Sequence, residues 1–153
     1  MPTLDDVYRL YGEAAEAAQL LETELGNMLL RFRIEDECLV ENKNPVRARY
    51  VFDCVNRHTL GQLLKGLNNH TQSLDELSDI LSKALEERNR LFHSFYRTHN
   101  FRRNTEDGRV LMLKDLHGIH TSLLNAYKAV MRLDGFDLDS VVEYEAPTRH
   151  LKI

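Results

Sequence analysis

Residues 86–99 read Glu-Glu-Arg-Asn-Arg-Leu-Phe-His-Ser-Phe-Tyr-Arg-Thr-His. They are predicted to be the last turns of a long helix that opens at Ser73-Leu-Asp-Glu76, a capping-box pattern, and runs to about His99. At roughly 100° per residue, with Arg88 set to zero, Leu77, Leu81, Ala84, Phe92 and Phe95 all fall within about 40° of that arginine. A guanidinium amid an apolar stripe is costly unless it meets an anion, such as Glu13 or Glu16, or faces an interface or cleft. The fold must therefore supply Arg88 with one or the other.

Outward from this stretch, the rest of the chain also reads as helices. Seven glycines, three prolines and no tryptophan in 153 residues leave few breakers, so an all-α class is expected. Thr3 and Asp6 stand at capping-box spacing ahead of Leu4, Val7, Tyr8, Tyr11, Ala14, Ala15, Ala18, Leu21, Leu25, Met28, Leu29 and Phe32. That series predicts one helix of about 30 residues, roughly 45 Å long. Between Arg33 and Asn44 the periodicity fails, and a loop is expected. Asn44-Pro45 reads as an N-cap with proline at the first helical position, while Tyr50, Phe52 and Cys54 alternate well enough to allow a strand over 46–55. Thr59-Leu-Gly-Gln62 opens another helix through Leu67, ended by Asn68 and Asn69.

Beyond His99, residues 100–109 read as a turn-rich connection and Val110–Leu113 as an extended piece. A final helix is expected from about Lys114, stopping at Asp134-Gly135. These pieces predict an up-and-down bundle of four to five helices over residues 1–135. Residues 136–153, with Pro147, would form a C-terminal tail packing on the bundle or on a partner.

Charge is unevenly placed. The formal net charge is −4, yet residues 88–109 hold Arg88, Arg90, Arg97, Arg102, Arg103 and Arg109 against Glu106 and Asp107, a local +4 that leaves −8 for the remainder. Such asymmetry suits a local anionic ligand on a repulsive body rather than a surface that grips nucleic acid throughout. Cys38 and Cys54 show no Cys-x-x-Cys spacing and are expected to be reduced thiols. The N-terminus lacks a basic start and apolar run, and no stretch is long enough to span a bilayer, so a cytoplasmic protein without membrane contact is expected. Asn69-His70-Thr71 matches the glycosylation sequon, read as chance in such a chain.

Several chemistries lack their residues. None of the seven histidines follows a Glu by three positions, as helical di-iron sites need, and His-Glu-x-x-His, phosphate loops and the nucleophile elbow are missing. His117 and His120 are one turn apart, but His120 belongs to the apolar side, where a core or cleft role is the simpler reading. No metal and no cofactor are therefore expected. Arg88, Asn89 and His93 remain. A histidine can exchange protons near neutral pH, and an arginine can hold a phosphodiester oxygen as charge builds on it, which together suffice for metal-free RNA cleavage. On an ideal helix His93 lies about 140° from Arg88, with Asn89 and Tyr96 between at about 100° and 80°, so a second helix or subunit must bring them onto one substrate.

The order Arg88, a polar Asn89, and His93 after four intervening positions resembles the signature of the HEPN superfamily. The resemblance implies a helical bundle, a homodimer whose two motifs form one cleft, and a metal-independent endoribonuclease in a toxin–antitoxin or phage-defence setting. Arg88 would stabilise the phosphorane, His93 act as general acid or base, and Asn89 position substrate or His93. One toxin branch places a Tyr two residues after the His; Phe95 stands there, with Tyr96 next. Tyr96, Arg97, His99, Arg102 and Arg103 are the candidate further RNA contacts. The alternative is a HEPN-like bundle that binds a protein partner, such as an antitoxin or regulator, or a nucleotide, without cleavage.

Overall fold

The computed structural model describes residues 1–68 and 75–141. Among them are six α-helices and no strand: α1 (Leu4–Asp36), α2 (Pro45–Val55), α3 (Leu60–Leu67), α4 (Ser78–His93), α5 (Phe95–His99) and α6 (Glu106–Leu133), with short 3-10 turns at Asp75–Leu77, Asn100–Asn104 and Leu138–Ser140. The all-helical reading holds, with six helices where four to five were expected, because the stretch expected as one helix to His99 divides at Ser94. Ser73, Leu74, the Asn69-His70-Thr71 sequon and Pro147 lie outside the described residues.

Caps written in the sequence set most helix starts. Thr3 and Asp6 exchange hydrogen bonds as a full capping box, and Thr59 and Gln62 do the same for α3. Asn44 accepts from the Arg47 amide at 3.0 Å with Pro45 inside the first turn, so 46–55 is helix and not strand. Gly135 ends α6 as expected, with φ +83 and the Phe136 amide donating back to the Met131 carbonyl.

Four boundaries differ from expectation. The helix expected to open at Ser73–Glu76 becomes α-helical only at Ser78, after the Asp75–Leu77 turn and with Leu77, which makes no side-chain cap, at its N-cap. α1 continues to Asp36 and closes in a Schellman turn with Cys38, at φ +49, where glycine is usual. The Leu39 amide donates to the Ile34 carbonyl and the Cys38 amide to Glu35. α6 begins at Glu106 and not at Lys114, because Thr105 caps it through the Gly108 amide at 3.1 Å; Val110–Leu113 is therefore helical. The helix through Arg88 breaks at Ser94, whose φ of −133 is not helical and whose hydroxyl donates to the Arg90 carbonyl.

The helices run up and down. Arg109 near the start of α6 donates to the Pro2 carbonyl beside the start of α1, and Arg31 near the end of α1 meets Asp134 past the end of α6, so these two longest helices are parallel. Their facing stripes make the core: Val7, Leu10, Ala14, Leu21, Leu25 and Leu29 against Met112, Leu116, Ile119, Leu123, Ala126 and Val130, all essentially sealed from water. α4 runs antiparallel to both, with Tyr11 donating to the Leu91 carbonyl and Arg90 paired to Asp115. α3 and α2 both pack on α1, and Gly61 of α3 faces the Leu85 side chain of α4. Past α6, Asp139 turns back to pair with Lys128 and Arg132, so the start of the tail lies on the bundle.

One glycine fixes the approach to α6. A Cβ at Gly108 would collide with the Arg102 carbonyl, whereas one at Gly12 in α1 would meet nothing within 4 Å. Gly108→Ala is expected to cost about 1–3 kcal/mol through overpacking against backbone. Gly12→Ala is expected to add roughly 0.5–1 kcal/mol through helix propensity. Urea unfolding midpoints of the two variants read this directly; a neutral Gly108→Ala would contradict the close approach.

Candidate active site and the charged network beside it

Arg88 does not sit at the centre of the buried stripe. Leu81, Ala84, Leu91 and Phe95 are buried, but Phe92 is 39% exposed, so the stripe is turned away from the face expected. That leaves Arg88 at its edge, where Nε donates to Glu22 Oε1 at 2.8 Å across the α1–α4 seam. The anion the sequence demanded exists, but it is Glu22; Glu13 instead pairs with Arg9. The guanidinium also lies over the Phe92 ring at 5.0 Å, and its NH1 donates to Asn89 Oδ1 at 3.3 Å. Asn89 and His93 are both exposed, one turn apart on the outward side of α4. The motif thus makes a solvent-facing strip, with Arg88 anchored at its inner edge and His93 at its outer one.

The remaining expected contacts divide. Tyr96 packs on Tyr11 and Phe95 at the N-terminal end of α1, with ring centroids 5.7 and 5.2 Å away. Arg103 donates to the Tyr8 hydroxyl at 2.9 Å. Arg97 is exposed. His99 and Arg102 lie instead on the α6 side, in a network whose other members the sequence did not suggest.

That network begins at Glu87, buried at 5% exposure, which takes Lys83 at 2.7 Å and Arg90 at 2.7 Å. Arg90 NH1 reaches both oxygens of Asp115 at 2.8 Å. Asp115 also meets His99 Nε2 at 2.8 Å, and Arg102 NH1 lies 3.2 Å from His99 Nδ1. A guanidinium has no acceptor, so Nδ1 accepts and Nε2 carries the proton directed at Asp115. His99 is only 3% exposed and stacks obliquely on Phe95 at 4.5 Å. It is carried there by α5, which starts afresh after the break at Ser94. Arg90, Thr98, His99, Arg102, Lys114 and Asp115 border a groove of about 400 Å³ there.

Glu22 also lines a smaller cavity, about 270 Å³, with Gln19, Asn27, Asn56 and His58. His117 is exposed and His120 half-buried, and among the described residues no group of three His, Cys, Asp or Glu side chains could hold a metal ion. No helix among them is long and apolar enough to cross a membrane. Comparison with known proteins gives no matching family model, no similar curated protein and no similar solved structure.

The network has a pH signature. Burial pushes the Asp115 carboxyl up, but the hydrogen bonds from His99 and Arg90 outweigh it and hold the group below the usual carboxylate range. Burial likewise acts against Glu87, and Lys83 and Arg90 bring it down. Folded-state values below the unfolded ones mean stability that is complete above about pH 5 and lost as pH falls through the depressed values. Asp115→Asn is expected to cost about 1–3 kcal/mol at pH 7, with the gap to wild type closing under acid; denaturant titrations at pH 7 and below about pH 4 measure both.

Proposed function

We propose that the protein is a metal-independent endoribonuclease of HEPN type, acting as a homodimer whose two motif strips face one another across an RNA strand. The carrying observation is the anchoring of Arg88. Glu22 holds its Nε, Phe92 its flat face, and Asn89 its NH1, so the guanidinium is ordered at the inner edge of a strip whose outer edge carries the exposed His93. Such preorganised positive charge stabilises a phosphorane at little reorganisation cost. His93 then moves the proton of the 2′-hydroxyl or of the leaving oxygen. Asn89 joins the two, as an acceptor for Arg88 and a polar contact for the strand.

The second subunit answers the geometric problem posed by one helix. Arg88 and His93 diverge around α4, so a strand lying between two copies meets the arginine of one and the histidine of the other. Apolar surface supports such pairing: Tyr8, Phe92 and Tyr96 are 46%, 39% and 41% exposed, close to the strip. Arg103, held by Tyr8, and Arg97 add positive charge at its end and attract the strand electrostatically. A toxin–antitoxin or phage-defence role, with an antitoxin or regulator covering the strip, is the setting that fits such an enzyme in the cytoplasm.

A non-catalytic HEPN-like module remains the competing reading, favoured by one observation: the Glu22 pair already satisfies much of Arg88. Incubation with RNA in EDTA separates the two. Cleavage is expected from the wild type, with losses of about 10²–10⁴-fold in His93→Ala and about 10²–10³-fold in Arg88→Ala. Light scattering after size exclusion should find both variants still dimeric. Cleavage unchanged in both, or absent from the wild type, would overturn the assignment. A monomeric or aggregated Arg88→Ala would give that residue a structural role.

A further inference from the structure

We propose that the groove between α5, the Asn100–Asn104 turn and α6 binds a phosphate monoester, gripped by Arg102, Lys114 and Thr98. It lies on the opposite flank of α4 from Arg88, since Arg88 faces Glu22 on α1 while Arg90 faces Asp115 on α6. The proposal does not rest on the nuclease reading.

The first observation is a charge that the fold leaves unbalanced. Arg90, Arg102 and Lys114 border the groove against Asp115 alone, a local +2, while Lys83 and its partners Glu86 and Glu87 stand behind them, outside the lining. Asp115 is already engaged by Arg90 and His99. Arg102 donates to a neutral ring nitrogen of His99, and Lys114 has no carboxylate partner among the described residues. Collecting like charges on a chain of net charge −4 is unfavourable unless something else neutralises them. A phosphate monoester is close to doubly charged near neutral pH and matches +2, and the guanidinium fork suits its oxygens.

The second observation is that Arg102 is held in place. Asn100 takes a positive φ of 42 that reverses the chain after α5, and Gly108 lets the Arg102 carbonyl press on the first turn of α6. His99 Nδ1 then fixes the guanidinium at the groove. Holding a binding arginine beforehand removes an ordering cost from ligand association. About 400 Å³ exceeds the needs of a bare anion, and Leu111 and Gly118 in its lining suit a small organic body on the phosphate.

Titration calorimetry of the full chain at low ionic strength tests this with phenyl phosphate and, as the diester, diethyl phosphate. Phenyl phosphate is expected to bind, and the diester at least about tenfold more weakly for want of the second charge. Lys114→Gln should weaken phenyl phosphate about tenfold, and Gly118→Leu should abolish binding by filling the groove from a position where an added Cβ meets nothing within 4 Å. His93→Ala should bind as the wild type does, which keeps the result separate from the nuclease assay. Lys114 is exposed, so its variant still decides if Gly118→Leu misfolds. No heat with phenyl phosphate up to on the order of 10 mM overturns the proposal, as does unchanged affinity in Lys114→Gln. Equal or tighter binding of the diester, the result expected of a groove for nucleic-acid backbone, overturns it too.

Discussion

The parallel seam between α1 and α6 is the constraint on which the rest of the molecule depends. Two helices of 33 and 28 residues bury a continuous apolar stripe against each other, and a parallel pair cannot be joined by a tight turn. Everything between them must carry the chain back to the end where α1 began. α4 does most of this, running antiparallel to both long helices. Its two flanks consequently face different neighbours, so Arg88 is matched with an acid of α1 and Arg90 with an acid of α6.

The Ser94 break follows from the same geometry. The helix restarts after Ser94, and α5 buries Phe95 against Tyr11 and brings His99 to Asp115. Burying Glu87 and most of His99 carries a desolvation cost, which the several hydrogen bonds around each offset. A network of that kind holds α4, α5 and α6 in one arrangement and adds little net stability beyond what an apolar contact would give. Its consequence is positional. The outward strip of Asn89 and His93 stays exposed, while Arg102 is held at the groove on the other flank.

How much of this was legible varied with how local the cause was. The boxes at Thr3–Asp6 and Thr59–Gln62, the Asn44-Pro45 start and the Asp134-Gly135 stop were each readable, because a cap acts within one turn of chain. The end of α1 was not, since Cys38 supplies the left-handed residue where glycine would have announced it. The start of α6 was misplaced because Gly108 reads as a turn residue, while in the fold it serves close packing against Arg102. Arg88, Asn89 and His93 could be picked out as one local motif, yet Glu22 stands 66 positions from its arginine and nothing in the spacing favours it over Glu13 or Glu16. Arg90 counted only toward the local positive charge and Asp115 carried no signal: nothing in the spacing pairs them until α4 and α6 meet.

By itself the sequence determined that this chain is predominantly helical, where α1, α2 and α3 start, and that the Arg-Asn-x-x-x-His motif lies on a helix beside the arginine-rich stretch 88–109. These are consequences of hydrogen bonding and apolar periodicity over a few turns, and they do not need a neighbour. Only the tertiary structure decided which face of α4 is buried, which acids receive Arg88 and Arg90, and that His99 turns inward while His93 stays outside. The reason is that rotation about a helix axis is set by what the helix packs against. A shift of a few tens of degrees, too small to see in a stripe of leucines and phenylalanines, moved Arg88 from the centre of the apolar face to its rim.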